Sequence, residues 1–189
     1  MDPEKMLGEH PRSDAALARA ARLGDREAFE TLVHRHGPGM YRYARRMLAD
    51  HGATEEVVQD AFVAAWKGMD SYRGESSLRT WLFSLTAHKA IDHRRKARAQ
   101  PIDDQLLLAL PAGDQADPQM QLTQAELLAA LEAALAELPY RQRACWILRE
   151  IEGLTPAEIG HVLNLSDGAV RGQLQRGRRN LVQRMARWR

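Results

Sequence analysis

The C-terminal stretch TPAEIGHVLNLSDGAVRGQLQRGRRNL, residues 155–181, decides the fold because it contains two helical patterns separated by a short turn. Thr155 followed by Pro156 predicts a helix start, since threonine caps helix N-termini and proline fits the first helical position. After a turn at residues 165–167, a final helix is expected to begin near Gly168. The pattern predicts a helix-turn-helix, in which the second helix enters the major groove of DNA.

The two helices of this stretch have distinct inner and outer faces. Apolar side chains recur at helical spacing on the inner faces, at Ile159, Val162 or Leu163, Val170, Leu174 and Leu181. Arginine can bridge guanine and glutamine can bridge adenine, while further arginines neutralise phosphates. A basic helix also suits an acidic protein partner, so that interpretation stays open beside the first. The residues predicted to bind DNA are Asp167, Arg171, Gly172, Gln175, Arg176, Arg178 and Arg179.

Two more helices are expected directly before this stretch, over residues 122–138 and 141–152. Pro139 ends the first of them because a proline disfavours helical geometry at the residue before it. Gly153 ends the second, since glycine readily adopts the left-handed conformation found at helix C-termini. The C-terminal part of the chain is therefore expected to be a four-helix unit.

A linker is expected over residues 101–121, because Pro101, Pro111 and Pro118 interrupt any regular pattern there. The leucines between residues 106 and 110 are unusual for a free linker and indicate a short segment that docks on another surface. The linker therefore separates two parts of the chain and is itself expected to make contacts.

Charge is distributed in blocks along the chain. Residues 101–138 contain seven acidic side chains and no lysine or arginine, whereas residues 139–189 contain ten arginines against four acids. Basic blocks on either side of an acidic connector favour two nucleic-acid-facing modules, although such blocks are often only solvated faces. We expect one domain over residues 1–100, the acidic linker, and a second domain over residues 122–189.

The first half of the chain also shows helical spacing of its apolar residues. The Gly-Pro-Gly sequence at residues 37–39 predicts a break between the first two helices. Another helix is expected to begin at Thr54, which acts as its N-cap, and to end near residue 67. The next begins at residues 76–77 and ends near residue 98. The predicted fold class is therefore all-α, with two small helical domains.

The helix that follows Thr54 has an apolar stripe and an outward stripe. Val58, Phe62, Ala65 and Trp66 are expected to lie in the core. Most outward acidic stripes are simply solvated, so the spacing by itself assigns this one no partner. The outward residues are Glu56, Gln59, Asp60 and Val63.

Residues 79–98 hold six basic groups, and aromatic side chains lie close by in the sequence. Basic groups interleaved with aromatic rings suit single-stranded DNA, because cations meet phosphates and bases stack on rings. Trp81 and Leu85 are expected in the core, while the loop at residues 72–77 and an exposed stripe on the following helix face DNA. The residues predicted to bind this DNA are Tyr72, Arg73, Gly74, Ser76, Ser77, Thr80, Ser84, His88, Arg94 and Arg95.

Composition excludes several classes of protein. The single cysteine, Cys145, excludes an internal disulfide framework and favours the reducing cytoplasm. No apolar run approaches the ~20 residues of a membrane span, and no secretory signal is recognisable. No phosphate-binding glycine loop, nucleophile elbow or metal-ligand spacing is present, so we expect no catalytic residue, no metal and no cofactor.

Residues 138–181 resemble the sigma-4 domain of extracytoplasmic-function sigma factors, the small initiation factors of bacterial RNA polymerase. The family pattern begins with Leu-Pro and ends in a Gly-Thr-Val-Lys/Arg-Ser-Arg-Leu recognition helix. The chain departs from this pattern at Ala169, Gly172 and Gln173. The matching residues are Leu138, Pro139, Arg143, Gly153, Glu158, Ile159, Gly168, Val170, Arg171 and Leu174.

Residues 54–96 resemble the sigma-2 domain of the same family, with several motifs in the right order. His88 departs from the family, in which asparagine is frequent at this position. The matching residues are Val58, Gln59, Asp60, Phe62, Trp66, Tyr72, Arg73, Gly74, Thr80, Trp81, Leu82, Asp92, Arg94 and Arg95.

The resemblance implies a function and a set of partners. It implies that the outward acidic stripe binds the clamp coiled coil of core RNA polymerase, with a further contact to the flap region. It implies that the basic aromatic segment captures bases of the −10 promoter element and that the C-terminal domain reads the −35 element. An anti-sigma protein is a further implied partner, and no membrane insertion is expected.

A dimeric helix-turn-helix regulator that binds double-stranded operators without polymerase is the alternative. It is disfavoured because such a regulator has no need for an acidic helix followed by an aromatic, basic loop. We also expect no further regulatory domain beyond Arg189.

Overall fold

The structure, a computed structural model, describes residues 12–99 and 124–186, and every regular element in those two ranges is helical. The all-α prediction is thereby confirmed. The expected linker of residues 101–121, with its leucines, lies outside the described residues. The helices are α1 (Asp14–Arg22), α2 (Arg26–Leu48), α3 (His51–Gly68), α4 (Leu78–Ala99), α5 (Gln124–Ala136), α6 (Tyr140–Trp146), α7 (Pro156–Leu163) and α8 (Asp167–Arg184).

The expected break at residues 37–39 is wrong, because α2 runs through Pro38 without interruption. A residue before proline usually avoids helical geometry because its Cβ meets the proline ring. Gly37 has no Cβ, so this obstacle is absent. Leu32, Met40 and Tyr43, on both sides of the proline, are buried and hold the two halves of the helix in line.

Helix α3 begins three residues earlier than the sequence indicated. Asp50 is its N-cap, with a side-chain oxygen accepting from the amide of Ala53. Thr54, predicted to be the cap, is instead fully buried, and its hydroxyl donates to the Asp50 carbonyl oxygen. The aspartate succeeds as a cap because α2 ends at Leu48, and the left-handed backbone of its C-cap residue, Ala49, turns the chain there.

The buried stripe of α3 is shifted from the predicted one. Ala53, Val57, Ala61 and Ala65 are buried, whereas Val58 and Phe62 are only partly buried. Trp66, predicted to lie in the core, is 37% exposed, with its ring 5.0 Å from that of Phe29. Small alanines face the core because α2 and α4 approach α3 closely there.

The C-terminal helices follow the predicted pattern, with two refinements. Helix α6 passes into a π-helical turn over Ile147–Ile151, and Gly153 ends it with a positive φ of 72°. Helix α7 begins with the predicted threonine cap, completed by reciprocal hydrogen bonds between Thr155 and Glu158. Helix α8 begins at Asp167, one residue before the predicted start, because Ser166 is its N-cap.

The N-terminal unit (α1–α4) and the C-terminal unit (α5–α8) pack against each other. One apolar cluster contains Tyr43, Met47, Phe83 and Ala87 from the first unit together with side chains from the second. The ring centroids of Tyr43 and Phe83 lie 6.0 Å apart at nearly a right angle. Helix α7 lies across α4, so the arrangement of the two units determines which faces of α4 remain accessible. The C-terminal side chains of the cluster are Ala144, Cys145, Ile147, Leu148, Leu154, Ile159, Val162, Val170 and Leu174.

Candidate nucleic-acid and polymerase interfaces

The outer face of α8 is accessible, as its sequence pattern predicted. The inner residues Val170, Leu174 and Leu181 are buried, so the predicted DNA-binding side chains point away from the core. Arg171 makes only a loose ion pair, 3.7 Å from Asp167, and its side chain is 72% exposed. A row of solvated guanidinium groups on one helix can meet both base edges and phosphates. The exposed members of this face are Asp167, Arg171, Gln175, Arg176, Arg178 and Arg179, with Gly172 half-buried among them.

Two glycines that sequence reasoning did not single out position this helix. A Cβ added at Gly160 would lie 2.6 Å from the carbonyl oxygen of Leu165, so only glycine allows the tight turn between α7 and α8. Gly177 is buried where α8 crosses α6, and a Cβ added there would lie 3.6 Å from the Cβ of Gln142. A glycine inside a helical pattern often marks such a close approach, and that was the available signal.

The predicted exposed stripe on α4 is wrong at two of its three positions. Thr80 is 1% exposed and Ser84 is 8% exposed, whereas His88 is accessible. Helix α7 covers this part of α4, and the Thr80 hydroxyl donates to Glu158 of α7 at 3.2 Å. The stripe does point away from the core of the N-terminal unit, but the C-terminal unit packs on it.

The loop at residues 72–77 keeps most of its predicted exposure. Tyr72 is half-buried, and its hydroxyl donates to the carbonyl oxygen of Ser76 at 2.8 Å. Arg22 donates to the carbonyl oxygens of Asp70 and Tyr72 and so fixes the start of the loop to α1. Gly74 has a φ of 76°, which favours glycine at the tip. The exposed loop residues are Arg73, Gly74, Glu75 and Ser77.

An aromatic pair stands behind this loop. The rings of Tyr72 and Trp81 lie 5.1 Å apart and tilted by 36°. Trp81 and Leu85, predicted to be core, are both partly buried at the edge of the N-terminal core. An aromatic surface beside an exposed loop can stack an unpaired base, and a groove of about 940 Å³ runs between the loop and α1.

The two arginines predicted near the end of α4 have different surroundings. Arg94 lies over the ring of Tyr140 in the C-terminal unit, 4.3 Å from its centroid. Arg95 is exposed and pairs with Asp92 one turn away at 3.1 Å. Arg95 is therefore accessible, whereas Arg94 takes part in the contact between the units.

The outward stripe of α3 is accessible in full. Glu56, Gln59 and Asp60 are exposed, and Val63 is 44% exposed despite its apolar side chain. Asp60 makes only a loose ion pair with Lys89, at 3.8 Å. An acidic strip with an exposed valine can bind a basic protein surface through both charge and apolar contact.

The most buried charge in the contact between the units belongs to Glu152, which sequence reasoning missed. Its side chain is fully buried, and both carboxylate oxygens accept from Arg42, at 3.2 and 3.1 Å. Arg79 adds a hydrogen bond to the Glu152 carbonyl oxygen at 2.6 Å. No local signal could have found this arrangement, because Arg42 lies 110 positions away in the chain.

Cys145 is completely buried in the apolar cluster shared by the two units. Burial raises the pKa of its thiol to about 11. Within the described residues, no helix is long and apolar enough to cross a membrane, and no three ligating side chains group around a metal position.

Comparisons with known proteins match both units. Residues 32–100 match the family model of Sigma-70 region 2, and residues 128–181 match that of Sigma-70, region 4. The chain is 30% identical over 175 residues to the ECF RNA polymerase sigma factor SigM of Mycobacterium tuberculosis, covering 93% of this chain and 86% of that one.

CnrH of Cupriavidus metallidurans, an RNA polymerase sigma factor, is 33% identical, covering 89% of this chain and 92% of that one. The solved structure of CnrH in complex with the cytosolic domain of CnrY superimposes with a TM-score of 0.68 and 31% identity, covering 90% of this chain and 95% of that one. The sigma factor RpoE of Bartonella quintana, solved with the anti-sigma factor NepR, shares the fold, with a TM-score of 0.67 and 22% identity over 84% of this chain and 96% of that one.

Proposed function

Because this chain belongs to the extracytoplasmic-function family of RNA polymerase sigma factors, we propose specific roles for its exposed faces. The chain is a sigma factor that directs promoter-specific transcription with RNA polymerase. The observation that carries the assignment of roles is the presence, on one chain, of an accessible acidic stripe on α3 and an accessible arginine face on α8.

The α3 stripe is assigned to core polymerase. Its residues are exposed, and Asp60 is bound only by a loose pair with Lys89, so the stripe is free to engage a basic partner. The clamp coiled coil of core polymerase is the partner that the family resemblance indicates. Glu56, Gln59, Asp60 and Val63 therefore form the proposed core-binding surface.

The α8 face is assigned to the −35 element. Arg171 and Arg176 lie on the outer side of a helix that follows a tight turn, the geometry with which a recognition helix enters the major groove. Arg178 also lies on this side and pairs with Glu150 of the preceding π-helical turn. The domain over residues 122–189 is the proposed −35 reader.

The −10 element is assigned to the N-terminal unit. The loop at residues 72–77, the Tyr72–Trp81 pair behind it and the α4 stripe of Thr80, Ser84 and His88 supply the hydroxyl, ring and backbone groups that hold unpaired bases. Arg94 and Arg95 add positive charge for the phosphates. The domain over residues 1–100 thus combines core binding with capture and opening of the −10 DNA.

An anti-sigma protein is the proposed negative regulator. CnrH was solved with another chain, CnrY, and RpoE with an anti-sigma factor, and both have the present fold. We infer that a partner of this class holds the chain away from core polymerase in the cytoplasm. The protein acts without catalytic residues of its own.

Reconstituted transcription tests the assignment. The chain is mixed with core polymerase and a promoter library, and start sites are mapped by sequencing the transcripts. Asp60→Arg is compared with Glu137→Arg, the same reversal at an exposed acid of the C-terminal unit. We expect Asp60→Arg to abolish co-purification with core and all specific start sites, because a cation there repels a basic surface.

Circular dichroism keeps the test interpretable, since an exposed ion pair contributes at most about 1 kcal/mol and both variants should stay folded. Normal core binding by a folded Asp60→Arg chain would refute the α3 assignment. Nanomolar binding of a duplex promoter by a dimer of the free chain would refute the division of roles and favour the operator-binding regulator.

A further inference from the structure

We propose that the free chain holds itself closed through Glu152, which latches the C-terminal unit over the promoter-reading stripe of α4. This inference rests on the proposed function of that stripe. In the closed arrangement the unpaired −10 strand has no access to Thr80 and Ser84. Core polymerase can still dock on α3, so core binding precedes −10 capture.

The latch is a buried carboxylate satisfied entirely by the other unit. Glu152 belongs to the C-terminal unit, yet its side-chain oxygens accept from Arg42 and Arg79 of the N-terminal unit. A buried charge is strongly unfavourable without a partner. Burial of the Glu152 carboxylate is therefore tolerated only while the two units are in contact, because the two arginines that pair with it belong to the other unit. Separation returns the carboxylate to water, whereas the two arginines are partly exposed already.

Helix α2 makes room for the Glu152 carboxylate at Gly39, which has no side chain. A Cβ at Gly39 would lie 3.1 Å from Oε2 of Glu152 and 3.4 Å from Cζ of Phe83. Both neighbours are buried, and the carboxylate is bound on two sides, so neither can move aside freely. Gly37, two residues earlier and on another side of the helix, has only the Phe62 ring within 4 Å apart from its own chain neighbours, at 3.8 Å. Glycine at position 39 thus makes room for the latch, and glycine at position 37 does not.

Further contacts extend the closed surface on both sides of the latch. On one side Thr80 donates to Glu158 of α7, and on the other Arg143 donates to the carbonyl oxygen of Arg46 at 3.3 Å. The apolar cluster that includes Phe83 and Cys145 belongs to the same contact. The contact therefore combines polar groups around an apolar centre, as in a specific protein interface.

Closure has unequal consequences for the three proposed binding faces. Thr80 and Ser84 are covered, while the α3 stripe and the arginine face of α8 remain exposed. A chain closed in this way can meet core polymerase and a −35 duplex, but it cannot insert unpaired bases along α4. The latch thus prevents the free factor from capturing single-stranded DNA before it has joined polymerase.

The experiment uses the full chain and the variant Glu152→Gln, with Glu137→Gln as the matched control. Glu137 also pairs with an arginine, but that arginine, Arg184, belongs to the same unit. The first readout is alkylation of Cys145, the only thiol, which lies in the shared cluster. The second is the affinity for a fluorescent single-stranded oligonucleotide carrying a −10 sequence mapped with the reconstituted holoenzyme.

We expect Glu152→Gln to raise the alkylation rate and to tighten oligonucleotide binding, each by at least about tenfold, because it replaces the charge-assisted hydrogen bonds from Arg42 and Arg79 with weaker neutral ones. Glu137→Gln should match the unchanged chain in both. Equal alkylation rates for Glu152→Gln and the unchanged chain would refute the claim that Glu152 holds the two units together. Faster alkylation with unchanged oligonucleotide affinity overturns the claim that the latch covers the promoter-reading stripe.

A second pair of variants protects the test against misfolding. Gly39→Ala improves helix propensity and should not weaken α2 itself. Gly37→Ala adds a Cβ against the Pro38 ring, which disfavours the helix there, but it does not reach Glu152, so it controls for any general disturbance of α2. Only Gly39→Ala places a methyl group against Glu152, and only it should speed alkylation of Cys145. Equal alkylation rates for the two alanine variants would refute the claim that Gly39 makes room for the Glu152 carboxylate. Transcription by the unchanged chain with core is scored separately, since its failure would reject the proposed function rather than the latch.

Discussion

Helices α4 and α8 make an instructive comparison, because the sequence predicts a DNA-facing stripe on each and the structure leaves only one of them open. The stripe of α8 is exposed along its length, whereas Thr80 and Ser84 on α4 are buried. Helical periodicity identifies the side of a helix that faces its own core. It carries no information about a second unit that packs on the opposite side, as α7 does on α4.

The difference matters for function because the covered stripe and the open one have different proposed tasks. An exposed arginine face can meet duplex DNA at any time, and its attraction is long-ranged. The covered stripe holds small hydroxyl side chains that act only at contact distance. Restricting access to α4 alone therefore delays base capture while leaving encounter with duplex DNA possible.

The largest effect is expected from removing the ring of Phe83, which tests whether the C-terminal unit covers α4 in solution. Phe83 is 2% exposed and lies on α4 within the cluster shared by the two units. Phe83→Ala should lower the free energy of unfolding by about 3–5 kcal/mol, as expected for a large buried ring that leaves a cavity. Urea denaturation followed by circular dichroism measures the change.

Phe29→Ala is the matched control, because Phe29 is only partly buried and packs at the edge of the N-terminal core. Its loss should be clearly smaller. A loss for Phe83→Ala no larger than for Phe29→Ala would mean that the C-terminal unit does not cover α4 in solution, and both helices would then be equally open.

Local sequence signals predicted the parts of the fold that depend on neighbouring residues. The threonine cap of α7 was anticipated from Thr155 and Pro156 because a cap binds a backbone amide only three residues further along the chain, here that of Glu158. The inner face of α8 was anticipated because its spacing repeats within one helix. Features of this kind are fixed by short-range geometry, so the sequence shows them directly.

The features that were missed depend on distant partners. Gly-Pro-Gly usually interrupts a helix, but buried side chains on both sides of Pro38 override that tendency. Trp66 was placed in the core because of its helical spacing from Val58 and Phe62, whereas alanines fill the space between α2, α3 and α4. Glu152 carried no local signal at all, since its partners Arg42 and Arg79 come from the other unit.

Alanine substitutions on α8 test whether its exposed face binds promoter DNA. Arg171→Ala and Arg176→Ala should each weaken promoter binding by the holoenzyme by about 1–3 kcal/mol if the side chain reads a base. If it contacts a phosphate, all sequences should weaken alike and the salt dependence should flatten. Binding across promoter variants and salt concentrations separates these outcomes.

Arg184→Ala provides the control on the same helix, because Arg184 pairs with Glu137 beside the end of α8 and has no proposed DNA contact. If Arg171→Ala and Arg176→Ala weaken binding no more than Arg184→Ala does, the open face of α8 is not the reader of the −35 element.

Acid titration of Glu158 gives the smallest expected effect and reports on the covered side of α4. Its pKa lies below the ordinary value of 4.5, first because the Thr155 amide donates to the carboxylate, and then because the hydroxyls of Thr155 and Thr80 do so. A carboxyl with a lowered pKa in the folded state adds stability above pH 4.5 that is lost as the pH falls through the folded value. Glu158→Gln should therefore cost about 1 kcal/mol near pH 7, of the order of a helix cap, and the difference should shrink at acid pH.

Thr80→Val links this titration to the comparison between α4 and α8. If α7 packs on α4 in solution, Thr80→Val removes one donor to Glu158 and moves the pKa of that carboxyl back toward its ordinary value. The pH dependence of unfolding should then become shallower, while the cap supplied by Thr155 stays in place. Urea denaturation at several pH values between 3 and 7 measures the slope. An unchanged slope would show that α4 does not reach Glu158, and would leave the stripe of α4 as open as that of α8.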